Sequence, residues 1–178
     1  MRIIALTLSL CAIAGCKSSK SDEAKGDEAA RGKVVVDREL KFEAWFPGQP
    51  NDDKTPDGKR YMLTDTKSQM VYLVQATAFA KAVPLEDTAT IDLFFVGAKA
   101  GLLLGPNKGG KKTVEEKYQF DGKYPAWKVD VSLPKERIYR VRLIHRGSHF
   151  YQLIAAGPKS FVDSPDVTMF LDSLKFTD

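Results

Sequence analysis

From Lys33 to its end the chain runs in short apolar stretches separated by turn residues, a pattern of strands with few helices. Val34 to Val36 and Leu40 to Phe46 read as an opening strand or hairpin. Pro47-Gly48-Gln49-Pro50 closes it, because proline cannot donate to a sheet ladder. The polar stretch Asn51 to Gly58 reads as a loop, and Lys59 to Thr64 and Met70 to Phe79 as the next two strands. In the second of these Val71, Leu73, Gln75 and Thr77 alternate against Tyr72, Val74, Ala76 and Ala78, so one face is expected to be the more buried.

The period then changes. Within Glu86 to Leu104 the residues Ile91, Phe94, Phe95, Ala98 and Leu102 recur at spacings of three and four, which predicts an amphipathic helix packed on a sheet. Asp87 or Thr88 can cap its first turn, and Gly105-Pro106 should end it. After a loop over Asn107 to Lys112, strands are expected at Thr113 to Phe120, Ala126 to Leu133, Ile138 to Arg146 and His149 to Ala156. Gly147-Ser148 suits a two-residue hairpin turn. Such a turn puts Val141 opposite Ile154 and Leu143 opposite Gln152 on one face, with Arg142 opposite Leu153 and Ile144 opposite Tyr151 on the other.

Ser164-Pro165-Asp166 combines a cap residue, a proline at the first helical position and an early acid. Val167, Phe170, Leu171 and Leu174 follow at helical spacing, and Lys175 to Thr177 can add a last short strand. The class predicted is α+β, a mainly antiparallel sheet covered by about two amphipathic helices.

Several of these segments together resemble the Mog1/PsbP-like family: Phe42-Glu43-Ala44-Trp45-Phe46-Pro47-Gly48, the mid-chain helix, the Asp121-Gly122 turn, the Tyr139 to Ala156 hairpin and Phe170-Leu171-Asp172-Ser173-Leu174. The likeness covers most of Lys41 to Phe176. It implies a curved sheet between helices, in a family that includes bacterial lipoproteins. Its members are mostly binding or assembly proteins without a shared catalytic motif.

The first residues carry a different signal. Met1-Arg2 is a short positive start, and Ile3 to Ile13 is apolar apart from Thr7 and Ser9, too short to span a bilayer but suited to a secretory signal. Ile13-Ala14-Gly15-Cys16 resembles the bacterial lipobox, with Ile13 where leucine is more usual. The resemblance implies cleavage before Cys16 and acyl chains on it, anchoring the protein to a membrane of the cell envelope. Lys17 follows where an aspartate would signal inner-membrane retention, which favours the outer membrane if the source is Gram-negative. The organisation expected is signal peptide 1–15, lipidated cysteine and flexible tether 16–32, and one domain over 33–178. Lys17 to Gly32 has small and charged residues of balanced sign and no large apolar side chain, as a solvated tether should.

Composition narrows the chemistry. Apolar residues at 43% and charged residues at 28% are ordinary for a folded domain. The formal charge of +4 includes Arg2 of the signal and is too small to imply a nucleic-acid partner. Cys11 and Cys16 are the two cysteines, so a mature domain has no thiol for a disulfide, a nucleophile or a metal.

Gly105 to Lys112 partly resembles a phosphate-binding loop, but Lys112 stands where Ser or Thr should hold magnesium, and the segment follows a helix. His145 and His149 flank the tight turn and fall on opposite sheet faces, which is wrong for a shared metal. Asp52-Asp53 and Glu115-Glu116 are adjacent acids, which read as solvated or facing opposite ways. No catalytic residue, cofactor or metal ligand is assigned.

Arg140, Arg142 and Arg146 share one face of a regular strand. They form a candidate binding face for an acidic protein, a headgroup or an anionic polymer, weighed against ordinary cross-strand pairing with groups such as Asp130. The function read from the sequence is therefore a membrane-anchored, non-enzymatic binding or assembly module of the envelope. The alternatives are an envelope hydrolase with an unrecognised site and a purely structural subunit.

Overall fold

The computed structural model describes residues 32–103 and 109–177. The signal segment, Cys16, the tether as far as Arg31 and the expected helix stop at Gly105-Pro106 lie outside the described residues. Ten strands and three helices follow in the order β1 (Lys33–Asp37), β2 (Phe42–Phe46), β3 (Asn51–Thr55), β4 (Gly58–Asp65), β5 (Met70–Ala78), α1 (Thr88–Leu103), β6 (Lys111–Phe120), β7 (Tyr124–Leu133), β8 (Arg137–Arg146), β9 (His149–Pro158), α2 (Lys159–Val162), α3 (Pro165–Asp172) and β10 (Lys175–Phe176). The class is α+β with antiparallel pairing throughout.

The strands form two sheets, a three-stranded one in the order β1-β2-β10 and a seven-stranded one in the order β3-β4-β5-β9-β8-β7-β6. Alternation along the central strands sends side chains to two separate cores. Tyr72, Val74, Ala76, Tyr151, Leu153 and Ala155 pack with Phe42 and Phe46 of the small sheet and with Val167, Phe170 and Leu171 of α3. Leu73, Val141, Leu143, Phe150 and Ile154 pack instead against Ile91, Phe95, Ala98 and Leu102 of α1. The large sheet is thus the middle of three layers, which is why β9 is buried on both faces from Phe150 to Gly157.

Local chemistry sets the joints. Gly147 takes a left-handed φ of +57° at the β8–β9 turn, and the paired residues are those the two-residue turn requires, Val141 with Ile154, Leu143 with Gln152 and Ile144 with Tyr151. Asp121 and Gly122, with φ of +52° and +64°, turn β6 into β7. Asp87 caps α1, its carboxylate accepting the Thr90 N–H at 3.1 Å, and hydrogen bonding from the Thr90 side chain first and its backbone second holds the Asp87 pKa down. Ser164 precedes α3 in extended conformation with Pro165 at the first position, but its hydroxyl makes no capping bond.

One expectation changes. The stretch Asn51 to Gly58 is not a loop: Asn51–Thr55 is edge strand β3, paired with β4 from Asn51–Met62 to Thr55–Gly58. An edge strand exposed nearly throughout buries no apolar face, so hydrophobic periodicity has nothing to report. Ion pairs across the edge, Asp52–Lys59 at 2.8 Å and Asp53–Arg60 at 2.7 Å, accompany the ladder instead. In β5 the face of Tyr72, Val74 and Ala76 is the more buried, as the alternation predicts, while Val71 and Gln75 on the face toward α1 are only half-buried.

Candidate functional site

The three arginines do lie on one face of β8, on the side of the small sheet and α3, with buried Ile144 between Arg142 and Arg146. Arg140 stands opposite Asp130 of β7, its Nε 3.5 Å from that carboxylate, while its Nη2 reaches Asp163 at 2.5 Å. Burial pushes the Asp130 carboxyl up, more than Arg140 and Arg142 pull it down. Arg146 donates to the carbonyls of Lys41 at 3.0 Å and Thr177 at 3.1 Å, and lies 4.6 Å over the Phe176 ring. It ties the end of β8 to the end of the small sheet where Lys41 leads into β2 and Thr177 follows β10. Arg142 stands opposite Lys128, which pairs with Glu116 at 3.5 Å, and Arg142 has no carboxylate partner among the described residues.

Several other acids are engaged across strands and layers. Glu115 pairs with Lys99 of α1 at 2.7 Å and with Lys112, and Asp92 of α1 pairs with Lys117 at 2.8 Å. Lys99 and Lys117 also flank the Trp127 ring at 5.0 and 4.9 Å. These contacts hold α1 sideways onto β6 and β7. His145 and His149 occupy opposite faces, His149 stacking on Tyr151 at 6.0 Å, while His145 lies 5.9 Å from the Phe79 ring on the α1 side. Among the described residues, no group of three or more His, Cys, Asp and Glu side chains could hold a metal ion. No helix among them is long and apolar enough to cross a membrane.

Two features escaped the sequence reading. The first is the outer side of α1, where Ala89, Leu93, Val96, Gly97 and Ala100 are all exposed, Leu93 by 72% and Val96 by 47%. Their spacing of 4, 3, 1 and 3 places them on one stripe, so this helix is apolar outward as well as inward. Its two charged residues, Asp92 and Lys99, are both drawn to β6. The apolar count along the helix carried this signal, but the inward stripe alone explained the pattern.

The second is a polar row beneath α1. The register places Asp53, Arg60, Gln75, Gln152, Leu143, Trp127 and Lys117 side by side across the whole large sheet. Gln152 is buried to 1% exposure, and neither its amide oxygen nor its nitrogen meets a partner. One step along the same face, His145 is fully buried. Its Nε2 lies 3.1 Å from the Val83 carbonyl and its Nδ1 is unpartnered. An amide interrupting the apolar run of β9 was the one visible hint.

No family model matches the chain, and no curated protein sequence matches it. Solved structures do. The solution structure of cyanobacterial PsbP (CyanoP) from Synechocystis sp. PCC 6803 is similar with a TM-score of 0.56 at 10% identity, over 87% of this chain and 98% of that one. A Pseudomonas aeruginosa protein of unknown function gives a TM-score of 0.41 at 12% identity, over 74% of this chain and 85% of that one. A Bacteroides thetaiotaomicron protein gives 0.45 at 11% identity, over 83% of this chain and 49% of that one. The last two scores are too low to carry an argument. The first, with the two-sheet layering described above, shows that this chain has a PsbP-like α+β fold.

Proposed function

We propose that the protein is a lipid-tethered, non-enzymatic binding or assembly module of the bacterial cell envelope. The observation that carries the binding role is the outer stripe of α1, where Leu93 and Val96 are exposed with no charged neighbour on the stripe. A helix that is apolar on both sides gains by covering the second side. The tether enters at β1, in the layer on the other side of the large sheet from α1, which supports a stripe turned to a partner protein. The lipid role rests on the Ile13-Ala14-Gly15-Cys16 segment.

A photo-crosslinking residue at position 93 in intact cells is expected to trap a discrete envelope protein, and Val96→Glu to abolish the adduct while the melt is unchanged. Crosslinking no different from that at exposed Thr64 overturns the binding role. Cys16→Ser is expected to remove the lipid mass and release the protein from membranes. Unaltered retention, with no lipid on the natural protein, overturns the anchor.

A second reading, an anionic partner on the Arg140, Arg142 and Arg146 face, is favoured by one observation: the Arg142 guanidinium donates only to the Val141 carbonyl at 3.2 Å and has no carboxylate partner among the described residues. Arg142→Gln would then weaken binding and flatten its salt dependence.

A further inference from the structure

We infer that the protein has an internal water-binding site beneath α1, between His145 and Gln152, in which bound water donates to His145 Nδ1 and accepts from the Gln152 amide. The assignment starts from the tautomer. A carbonyl can only accept, so the 3.1 Å contact with the Val83 oxygen places the imidazole proton on Nε2. Nδ1 is then a bare lone pair, in a ring with no exposed surface and no donor within reach among the described residues.

Gln152 presents the complementary need. Its Nε2 lacks an acceptor and its Oε1 lacks a donor, with the side chain 1% exposed. His145 pairs with Phe150 and Leu143 with Gln152, so His145 and Gln152 are diagonal neighbours on one face. That diagonal is about 7–8 Å between backbones, a span that long side chains and one water bridge readily.

Water fits because it donates and accepts at one oxygen, and buried water characteristically joins polar groups that protein cannot satisfy. The surroundings close the site without competing for it. Phe79 and Phe94 stack at 4.8 Å beside the imidazole, and Phe95 lies 5.7 Å from Phe150. Gln75, opposite Gln152 and half-buried, continues the polar row toward the β3 edge of the sheet. The covering segment is fixed by backbone bonds from Phe79 to Ser148 at 2.8 Å and from Val83 to Gly147 at 3.0 Å, so the site is built into the fold.

The test is solution NMR on the full mature chain with water as the probe. Long-lived water cross-peaks to the Gln152 side-chain amide protons are expected, with His145 in the Nε2–H tautomer and its Nδ1 nitrogen shifted toward the hydrogen-bonded position. Gln152→Met should erase the water signal and move Nδ1 back toward its unbonded position. The natural protein alone decides if that variant fails to fold. Amide protons without water contact, a through-bond coupling from them to a protein acceptor, or an organic guest retained in native mass spectrometry would each overturn the site.

Discussion

Tyr61 donates its hydroxyl to Asp37 at 2.6 Å, joining β4 of the large sheet to the end of β1 in the small one. The other oxygen of Asp37 accepts the Leu40 N–H at 2.9 Å, and the carboxylate is 7% exposed. One side chain therefore closes the β1–β2 turn and pins it to the next layer. Asp37→Ala should cost about 2–4 kcal/mol, because it leaves two buried donors unpaired. Tyr61→Phe should cost less. Urea melts of both variants and the double variant measure the coupling, and full additivity would show that the bond does not link the sheets.

The arginines of β8 should separate by context. Arg146→Gln is expected to destabilise by about 1.5–3 kcal/mol, since its guanidinium serves two carbonyls and lies over the Phe176 ring. Arg142→Gln should fall within about 0.5 kcal/mol of the natural protein, as exposed or half-exposed strand positions usually do. Thermal melts of the two single variants check this ordering.

Two glycines should respond oppositely to alanine. A Cβ at Gly97 meets nothing within 4 Å, so Gly97→Ala should stabilise α1 by about 0.5–1 kcal/mol through propensity alone. A Cβ at Gly58 runs into the backbone carbonyl of Ala76, which the β4–β5 ladder cannot move, so Gly58→Ala should be strongly destabilising. Chemical denaturation of both variants gives the sign directly.

Stability should fall on both sides of neutrality. Burial, its chief cause, lowers the pKa of His145 and of His149 below 6.5. The unfolded chain therefore binds more protons just below that pH, and stability is present above about 6.5 and lost as pH falls from there toward the folded values. Burial raises Tyr61 and pushes Tyr72, Tyr118 and Tyr151 up to about 12. Their contribution is whole below the ordinary value of 10.0 and is lost as pH rises from there toward 12. Urea midpoints across both ranges test this, with His145→Gln and Tyr151→Phe expected to flatten the acid and alkaline limbs respectively.

The sequence by itself determined the elements that carry a local period. Alternation marked β5 and the arginine face of β8, short apolar runs between turn residues marked β2, β7 and β9, three-and-four spacing marked α1 and α3, and Gly147-Ser148 fixed the β8–β9 register to the residue. These depend on neighbours a few positions apart, and pairing across a two-residue turn leaves no choice of register. The tertiary structure decided the rest. Strand β3 exists because β4 offers it a ladder, although none of its own residues asks for burial. Arg140, Arg142 and Arg146 share a face as the alternation requires, but their partners Asp163, Lys41 and Thr177 come from remote segments. Gln152 looked like any strand amide until β5, β8 and α1 enclosed it, and the outer stripe of α1 could not be told from a core stripe until one side was covered. Periodicity reports which residues point together, whereas burial and partnership depend on what the chain later brings against them.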